Sequence, residues 1–245
     1  MASGILLVNI GNSNISLSLY KNERISFIKN VPAKPASIKK LKFPAEKNIS
    51  RAYIASVAPG LTKLVKKRIK CRVYVLNNND IPIKNLYRKK TEAGIDRLLE
   101  SLAARERYGA PLIVADFGTA TTLNIVSKKG EFRGGMILPG VKMWGEYLYE
   151  KTSKLPKVEF KKAKKPVGIT TKECIQNGIY YGNIDMLDGL IARLKNGLGK
   201  RTKVISTGGF ARFISPYIEQ IDKVDQSLIF TGMVKTIHYK NSSIL

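Results

Sequence analysis

Residues 112–126 read LIVADFGTATTLNIV, and within these fifteen residues the pattern changes twice. Leu112–Ala115 is an apolar run with the character of a buried strand, Asp116–Ala120 is a short turn rich in small and hydroxylated residues, and Thr121–Val126 is a second strand. The same succession opens the chain. Gly4–Val8 is apolar, Asn9–Asn14 is a polar Gly/Asn turn, and Ile15–Tyr20 alternates, placing Ile15, Leu17 and Leu19 on one face. A strand–turn–strand opening that occurs twice predicts two similar α/β lobes.

The rest of the chain fits this duplication. In the first half, strands are expected at Arg24–Lys29, at Arg51–Ser56 ending at Ala58-Pro59, and at Val73–Leu76, with a helix over Leu61–Ile69. The basic, proline-containing stretch Val31–Pro44 reads as a connection. Ile95–Tyr108 carries Leu98, Leu99 and Leu102 at helical spacing and is closed by Gly109. In the second half, Gly130–Phe132 turns into a further strand, Met143–Lys151 and Lys172–Leu194 read as helices, and Lys203–Ser206 is a strand that meets Thr207-Gly208-Gly209. The lobes are expected at residues 1–109 and 110–245, with the last helix free to pack back on the first lobe. Lys157–Pro166, with five lysines against one glutamate, reads as a mobile, solvated connection.

Composition narrows the function classes. The 245 residues include 43 Lys+Arg against 18 Asp+Glu, a formal charge of +25, with 44% hydrophobic residues. That is a folded protein with ample core, not a disordered or fibrous chain. Two cysteines, Cys71 and Cys174, and one histidine, His238, exclude a disulfide framework, a thiolate zinc site and a Ser-His-Asp triad. We assign these three residues no role, and the single tryptophan, Trp144, reads as a packing anchor. No apolar run reaches the roughly 18–20 residues that span a bilayer, and no leader precedes Ile5–Val8, so a cytoplasmic protein is expected. The positive surplus is open to several readings: nucleic-acid binding, an acidic membrane surface, anionic small substrates, or a solvated lysine-rich surface.

Neither a GxxxxGK[ST] loop nor a strand-borne GxGxxG is present, so phosphate requires another device. A tight hairpin of small residues supplies one, because its backbone N–H groups point at phosphate oxygens and hydroxyl or amide side chains complete the cage. Asn9–Asn14 and Asp116–Thr122 are both such turns. Each alone is ordinary loop chemistry. Paired at the head of two lobes, and joined by Thr207-Gly208-Gly209, they point to a nucleotide.

The pattern resembles the sugar kinase, heat-shock ATPase and actin superfamily, in which two hairpin phosphate loops and a glycine-rich adenosine element hold a nucleotide between ribonuclease-H-like lobes. Within it the chain is similar to the type III pantothenate kinases, also called the Bvg accessory factor family, from Leu6 to about Met233. The likeness is carried by Asn9-Ile10-Gly11-Asn12, Ala55-Ser56-Val57-Ala58-Pro59, Gly94-Ile95-Asp96-Arg97 and Asp116-Phe117-Gly118-Thr119-Ala120-Thr121-Thr122. Gly134-Gly135-Met136-Ile137-Leu138-Pro139-Gly140, Leu155-Pro156, Asn177-Gly178-Ile179 and Ser206-Thr207-Gly208-Gly209 extend it.

The resemblance implies roles. Asp96 is expected to accept a proton from the pantothenate primary hydroxyl, and Arg97 to bind the pantothenate carboxylate, with Gly94, Ile95, Tyr87 and Thr171 completing the substrate contacts. The run Asn9, Ile10, Gly11, Asn12, Ser13, Asn14, Ile15 and Ser16, together with Thr119, Gly208 and Gly209, is expected to hold ATP. Asp116 is expected to ligate a monovalent cation, potassium or ammonium, and magnesium to accompany the triphosphate. Without the family, Gly94–Arg97 is an ordinary helix start with an intrahelical ion pair, Asp116 initiates a turn, and Tyr87 packs between lobes.

Three positions depart from the family. Its first motif normally reads Asp-x-Gly-Asn where this chain has Asn9, and an amide supplies no negative oxygen to a hard cation. Natural divergence and an introduced, substrate-trapping change both account for it. Asn124 likewise stands where an Asp is usual, and Thr170 replaces the Asn of Gly-x-Asn-Thr. The family is homodimeric, so a homodimer is expected, with no membrane and no specific nucleic-acid partner. The rival is a catalytically impaired paralogue that binds nucleotide or nucleic acid as a regulator, motivated by Asn9, Asn124 and the charge.

Overall fold

A computed structural model describes residues 4–43 and 49–242 of the chain. The end of the basic stretch, Pro44, lies outside the described residues. The fold is α/β, and the chain divides into two compact units, Met1–Arg107 with Ser227–Leu245, and Tyr108–Gln226.

Unit 1 is a five-stranded sheet. Strands β1 (Gly4–Ile10), β2 (Asn14–Lys21) and β3 (Arg24–Pro32) form an antiparallel meander, and β4 (Ile49–Ser56) and β5 (Arg72–Val75) run parallel to β1, in the order β3-β2-β1-β4-β5. Alternation sorts the faces. Leu6, Val8, Ile10, Ile15, Leu17, Ala52 and Ile54 point to one core, which Ile38 and Leu41 around α1 (Pro35–Lys40) and Val65 of α2 (Pro59–Lys66) cover. The other face carries Asn9, Ser16 and Tyr20. There the Tyr20 hydroxyl meets His238 Nε2 at 3.0 Å.

Helix α3 (Ile95–Tyr108) spans the residues its periodicity predicts and ends at Gly109, whose φ of +82° is a left-handed stop. Helix α1 is the element that the sequence reading treated as a connection. Prolines at both sides of Ala33-Lys34 and a single buried residue, Ile38, hide its period.

Unit 2 repeats the plan. Strands β6 (Leu112–Phe117), β7 (Ala120–Val126) and β8 (Phe132–Pro139) form the meander, and β9 (Lys203–Thr207) and β10 (Lys223–Val224) run parallel to β6, in the order β10-β9-β6-β7-β8. Reading outward from the first strand of each meander, the two sheets have the same order. This is the pair of similar α/β lobes expected from the duplicated opening. Helices α4 (Val141–Lys151), α5 (Thr171–Leu198) and the short α6 (Ala211–Ile214) close one core with Ile113, Ala115, Phe117 and Leu123. Trp144 packs against it, in line with its reading as an anchor.

Lys157–Pro166 has no regular structure, but it is not a solvated connection. Ala163 is buried, Phe160 sits edge-on to Phe213 at 5.2 Å, and the Lys162 ammonium lies 4.5 Å from the Tyr217 ring centre. Asn177 of α5 fixes the end of the segment by donating to the carbonyls of Lys165 and Pro166 at 2.9 and 3.0 Å. Three apolar residues, Val158, Phe160 and Ala163, among five lysines give no period, yet they are enough to pin the segment. Finally, α7 (Leu228–Ser242) belongs to unit 1, where it packs on β1 and against α3.

Candidate active site

Each unit places its short hairpin where a strand of the meander turns back. In unit 1, β1 runs through Ile10 and β2 starts at Asn14, so the turn is shorter than Asn9–Asn14 and consists of Gly11, Asn12 and Ser13. The Gly11 N–H donates to Asn14 O at 2.9 Å and closes it. Asn12, Ser13 and Asn14 are exposed at the tip. Ile10 and Ile15 belong to the core through their side chains, so they offer a ligand backbone only. Asn9 is half-buried between Ser16 on β2 and Ala55 on β4, and Ser16 Oγ donates to Asn30 Oδ1 at 3.2 Å.

In unit 2 the turn is again shorter than Asp116–Ala120. Asp116 and Phe117 end β6, Gly118 and exposed Thr119 make the turn, and the Gly118 N–H donates to Ala120 O at 3.1 Å. The glycine turn after β9 is strapped across the same strand end, because the Phe210 N–H donates to Phe117 O at 3.1 Å. Gly208 there has φ of +92°, and a Cβ on it would lie 2.2 Å from Asp116 Oδ1 and 2.7 Å from the Phe117 backbone. Only glycine fits. Gly209 is exposed beside it. Asp116 thus stands in a cradle whose walls are Gly118 and Gly208. Asn124, two pairs along the ladder on the same sheet face, is fully buried and donates to Thr122 Oγ1 at 3.0 Å. Among the described residues no group of three or more His, Cys, Asp or Glu forms a metal cluster.

The Gly94–Arg97 motif lies in unit 1 at the start of α3. Asp96 Oδ1 accepts the Arg97 N–H at 2.8 Å, which is the hydrogen bond of an acidic residue in a first helical turn. Burial pushes the Asp96 carboxyl above its ordinary value, and the Arg97 N–H and guanidinium oppose that shift. Gly94 stands against this carboxylate. A Cβ there would sit 2.5 Å from Asp96 Oδ1. Arg97 is buried, and its Nη1 donates to the Tyr87 hydroxyl at 2.7 Å with the guanidinium 5.7 Å from the ring centre. Tyr87 therefore does not act merely as a packing aromatic.

A cavity of about 520 Å³ opens beside this motif. Ser56 at the end of β4, Asn77 and Asn79 beyond β5, and Thr91, Gly94 and Ile95 line it. Ligands of open sheets containing parallel strands are commonly bound beyond the carboxyl ends of those strands, and this cavity has that position within unit 1.

Thr171 is the exposed first residue of α5 in unit 2. The preceding Thr170 caps the helix, its Oγ1 accepting the Glu173 N–H at 3.2 Å while Glu173 Oε2 accepts the Ile169 N–H at 2.9 Å. This reciprocal cap explains how Thr replaces Asn in that motif, since both are good N-caps. Cys174 is exposed, and Tyr180 is buried among Tyr181, Tyr217 and Phe160, where desolvation pushes its phenol up to about 12.

Two residues of the acceptor region carried no sequence-level role. Asn78 Nδ2 donates to Lys90 O and Ala93 O, and Asn85 Nδ2 donates to Lys90 O while its Oδ1 accepts the Tyr87 N–H. For Asn78 the one sequence signal is the turn-forming character of the run Asn77-Asn78-Asn79-Asp80.

Residues 5–193 match the family described as Type III pantothenate kinase. The chain is 35% identical over 252 residues to the type III pantothenate kinase of Geotalea uraniireducens, covering 94% of this chain and 96% of the relative. It is 34% identical over 255 residues to that of Halalkalibacterium halodurans, covering 97% and 99%. Among solved structures it is similar to a conserved putative Baf family transcriptional activator from Campylobacter jejuni, with a TM-score of 0.64, 22% identity and coverage of 97% and 99%. It is also similar to the ethanolamine utilization protein EutJ from Carboxydothermus hydrogenoformans, with a TM-score of 0.56, 14% identity and coverage of 95% and 88%. At these identities the solved structures speak to the fold alone.

Proposed function

The chain belongs to the type III pantothenate kinase family, and from that membership we infer that it transfers the γ-phosphoryl group of ATP to pantothenate. The product is 4′-phosphopantothenate, and the step opens coenzyme A biosynthesis. The relatives are named as kinases, which does not favour the rival reading of a non-catalytic regulator.

The observation that carries the residue assignment is the Gly94–Arg97 start of α3, where a partly buried carboxylate and a buried guanidinium are presented side by side. In the reaction, the primary hydroxyl oxygen of pantothenate bonds to the γ-phosphorus as the bond to the ADP oxygen breaks, and Asp96 takes the hydroxyl proton. A carboxylate whose proton affinity is raised by burial suits that task. Arg97, oriented by Tyr87, binds the pantothenate carboxylate in two-point geometry. Gly94 and Ile95 form the adjoining wall, and Thr171 supplies a hydroxyl to pantothenate.

For ATP, the hairpin from Asn9 to Ser16 and the turn at Thr119 hold the phosphates, and Gly208 and Gly209 approach the adenosine. ATP enters as its magnesium complex, and Asn9 contributes an amide to it. We assign the Asp116 carboxylate, which lies between Gly118 and Gly208, to a monovalent cation, potassium or ammonium, which would offset phosphate charge. The protein acts as a homodimer in the cytoplasm. No helix among the described residues is long and apolar enough to cross a membrane.

The test is a kinase assay with pantothenate, ATP, magnesium and potassium, with 4′-phosphopantothenate identified by mass. Formation of that product by this chain or by Asn9→Asp supports the reading, and its absence from both refutes it.

A further inference from the structure

The segment that joins Tyr87 to Gly94 has no strand and only a single 3₁₀ turn, Lys90–Glu92, to hold its shape. A segment of this kind keeps its geometry only if its backbone carbonyls and N–H groups are held from outside. Two asparagines do this. Asn78 Nδ2 lies 2.9 Å from Lys90 O and 2.8 Å from Ala93 O, so one amide group bridges both ends of that turn, and the second of its acceptors is the residue before Gly94. Asn85 Nδ2 lies 3.1 Å from the same Lys90 O, while its Oδ1 accepts the Tyr87 N–H at 3.0 Å.

Asn78 is itself held rigidly. It begins the 3₁₀ turn Asn78–Asp80, and Asn77 caps that turn, with its Oδ1 accepting the Asn79 N–H at 3.0 Å and its own N–H donating to Asp80 Oδ2 at 2.9 Å. Asp80 in turn pairs with Lys240 of α7. The path from α7 to the acceptor motif is therefore continuous: Lys240, Asp80, the capped turn, Asn78, Ala93, Gly94.

We propose that Asn78 and Asn85 are positioning residues of the acceptor half-site, with Asn78 setting the placement of Asp96 through Ala93 and Gly94, and Asn85 setting the placement of Arg97 through Tyr87. The proposal rests on the kinase reading for the roles of Asp96 and Arg97. The two arms differ in what they move. Gly94 stands two residues before Asp96 and its carbonyl accepts the Leu98 N–H at 3.3 Å, so a shift of the Ala93–Gly94 backbone shifts the helix start that carries the carboxylate, which acts on the reacting hydroxyl. Tyr87 touches the Arg97 guanidinium, which acts on the carboxylate of bound pantothenate in the ground state as well as in the transition state. Misplacing the first costs turnover, and misplacing the second costs binding.

The experiment compares Asn78→Ala, Asn78→Asp and Asn85→Ala with the unsubstituted full-length chain. Asn78→Ala is expected to lower kcat by about tenfold or more while pantothenate KM stays within about threefold, and Asn85→Ala to raise pantothenate KM by about tenfold with kcat retained. ATP KM stays put in both. Asn78→Asp keeps the size of the side chain but turns an oxygen towards two carbonyl oxygens, so it is expected to lose at least as much turnover as the alanine variant. Hydrogen–deuterium exchange over residues 85–96, measured without substrate, is expected to quicken in all three.

Unchanged kinetics in both alanine variants, full turnover in Asn78→Asp, or losses that merely follow a reduced folded fraction would each overturn the proposal. If only Asn9→Asp makes 4′-phosphopantothenate, the same variants are compared in that background; if neither it nor the unsubstituted chain does, it is the kinase reading that fails. The exchange measurement then decides the clamp by itself, and unaltered exchange in the variants refutes it.

Discussion

Arg97 Nη1 donates to the Tyr87 hydroxyl at 2.7 Å, across ten residues of chain, and the same guanidinium lies over the edge of the Tyr87 ring at 5.7 Å from its centre. A long arginine side chain that is buried and hydrogen-bonded in this way has given up most of its rotamer freedom before any ligand arrives. Tyr87→Phe should therefore raise pantothenate KM by roughly threefold to tenfold, in line with about 0.5–1.5 kcal/mol for one hydrogen bond, with little change in kcat. Steady-state kinetics with pantothenate varied at saturating ATP measures this. An unaltered KM would remove Tyr87 from the site.

Restoring the usual carboxylate by Asn9→Asp should raise turnover by about 10²-fold, in line with roughly 2.7 kcal/mol for one well-placed electrostatic group. Asn9 is half-buried between Ser16 and Ala55, positions that leave space for an isosteric change. The assay is run on both proteins at equal folded concentration, and equal rates sink the idea.

Asp96→Asn separates activity from stability. Its carboxyl has a raised pKa in the folded chain, so the folded state holds the proton more tightly than the unfolded state does. That contribution to stability is complete below the unfolded pKa of about 3.9 and is lost as pH rises through the folded value. An asparagine does not titrate and can still accept the Arg97 N–H. The variant should have a higher Tm than the parent near neutral pH and the same Tm below about pH 4, while kcat falls by roughly 10²–10⁴. Thermal melts across pH, paired with turnover, decide it. Full turnover, or a Tm below that of the parent near neutral pH, would return Asp96 to the role of a plain helix-start residue.

Gly208→Ala should be costly to the fold of unit 2. A side chain at φ of +92° is strained, and its Cβ would overlap both Asp116 Oδ1 and the Phe117 backbone. Chemical denaturation should show a loss of at least about 2 kcal/mol, together with a weakened response of turnover to potassium. A variant as stable as the parent contradicts the cradle.

Much of this was legible in the residues. Both hairpins and helix α3, from Ile95 to Tyr108, follow from alternation and spacing, because their apolar residues repeat at one period and stop at a glycine. What failed was context. The burial of Asn177 and Asn183 on α5 has no signal in the spacing of its apolar residues. The segment Lys157–Pro166 looks solvated by composition, and only the contacts of Phe160 and Ala163 reveal its packing. Asn78 reaches backbone carbonyls 12 and 15 residues away, and such a link leaves no spacing to read.

Helix α7 completes unit 1 from the far end of the chain. Its Gly232 lies so close to the Leu99 carbonyl of α3 that any Cβ would overlap it, and Leu228, Met233 and Ile237 are buried. On a ribosome, residues 108–226 emerge as one uninterrupted stretch, whereas the first unit must wait for residues after 227 before its interior closes. Vectorial synthesis thus inverts the order of the gene: the unit translated second is the first that can finish folding, and the unit carrying Asp96 becomes whole only after α7 has emerged.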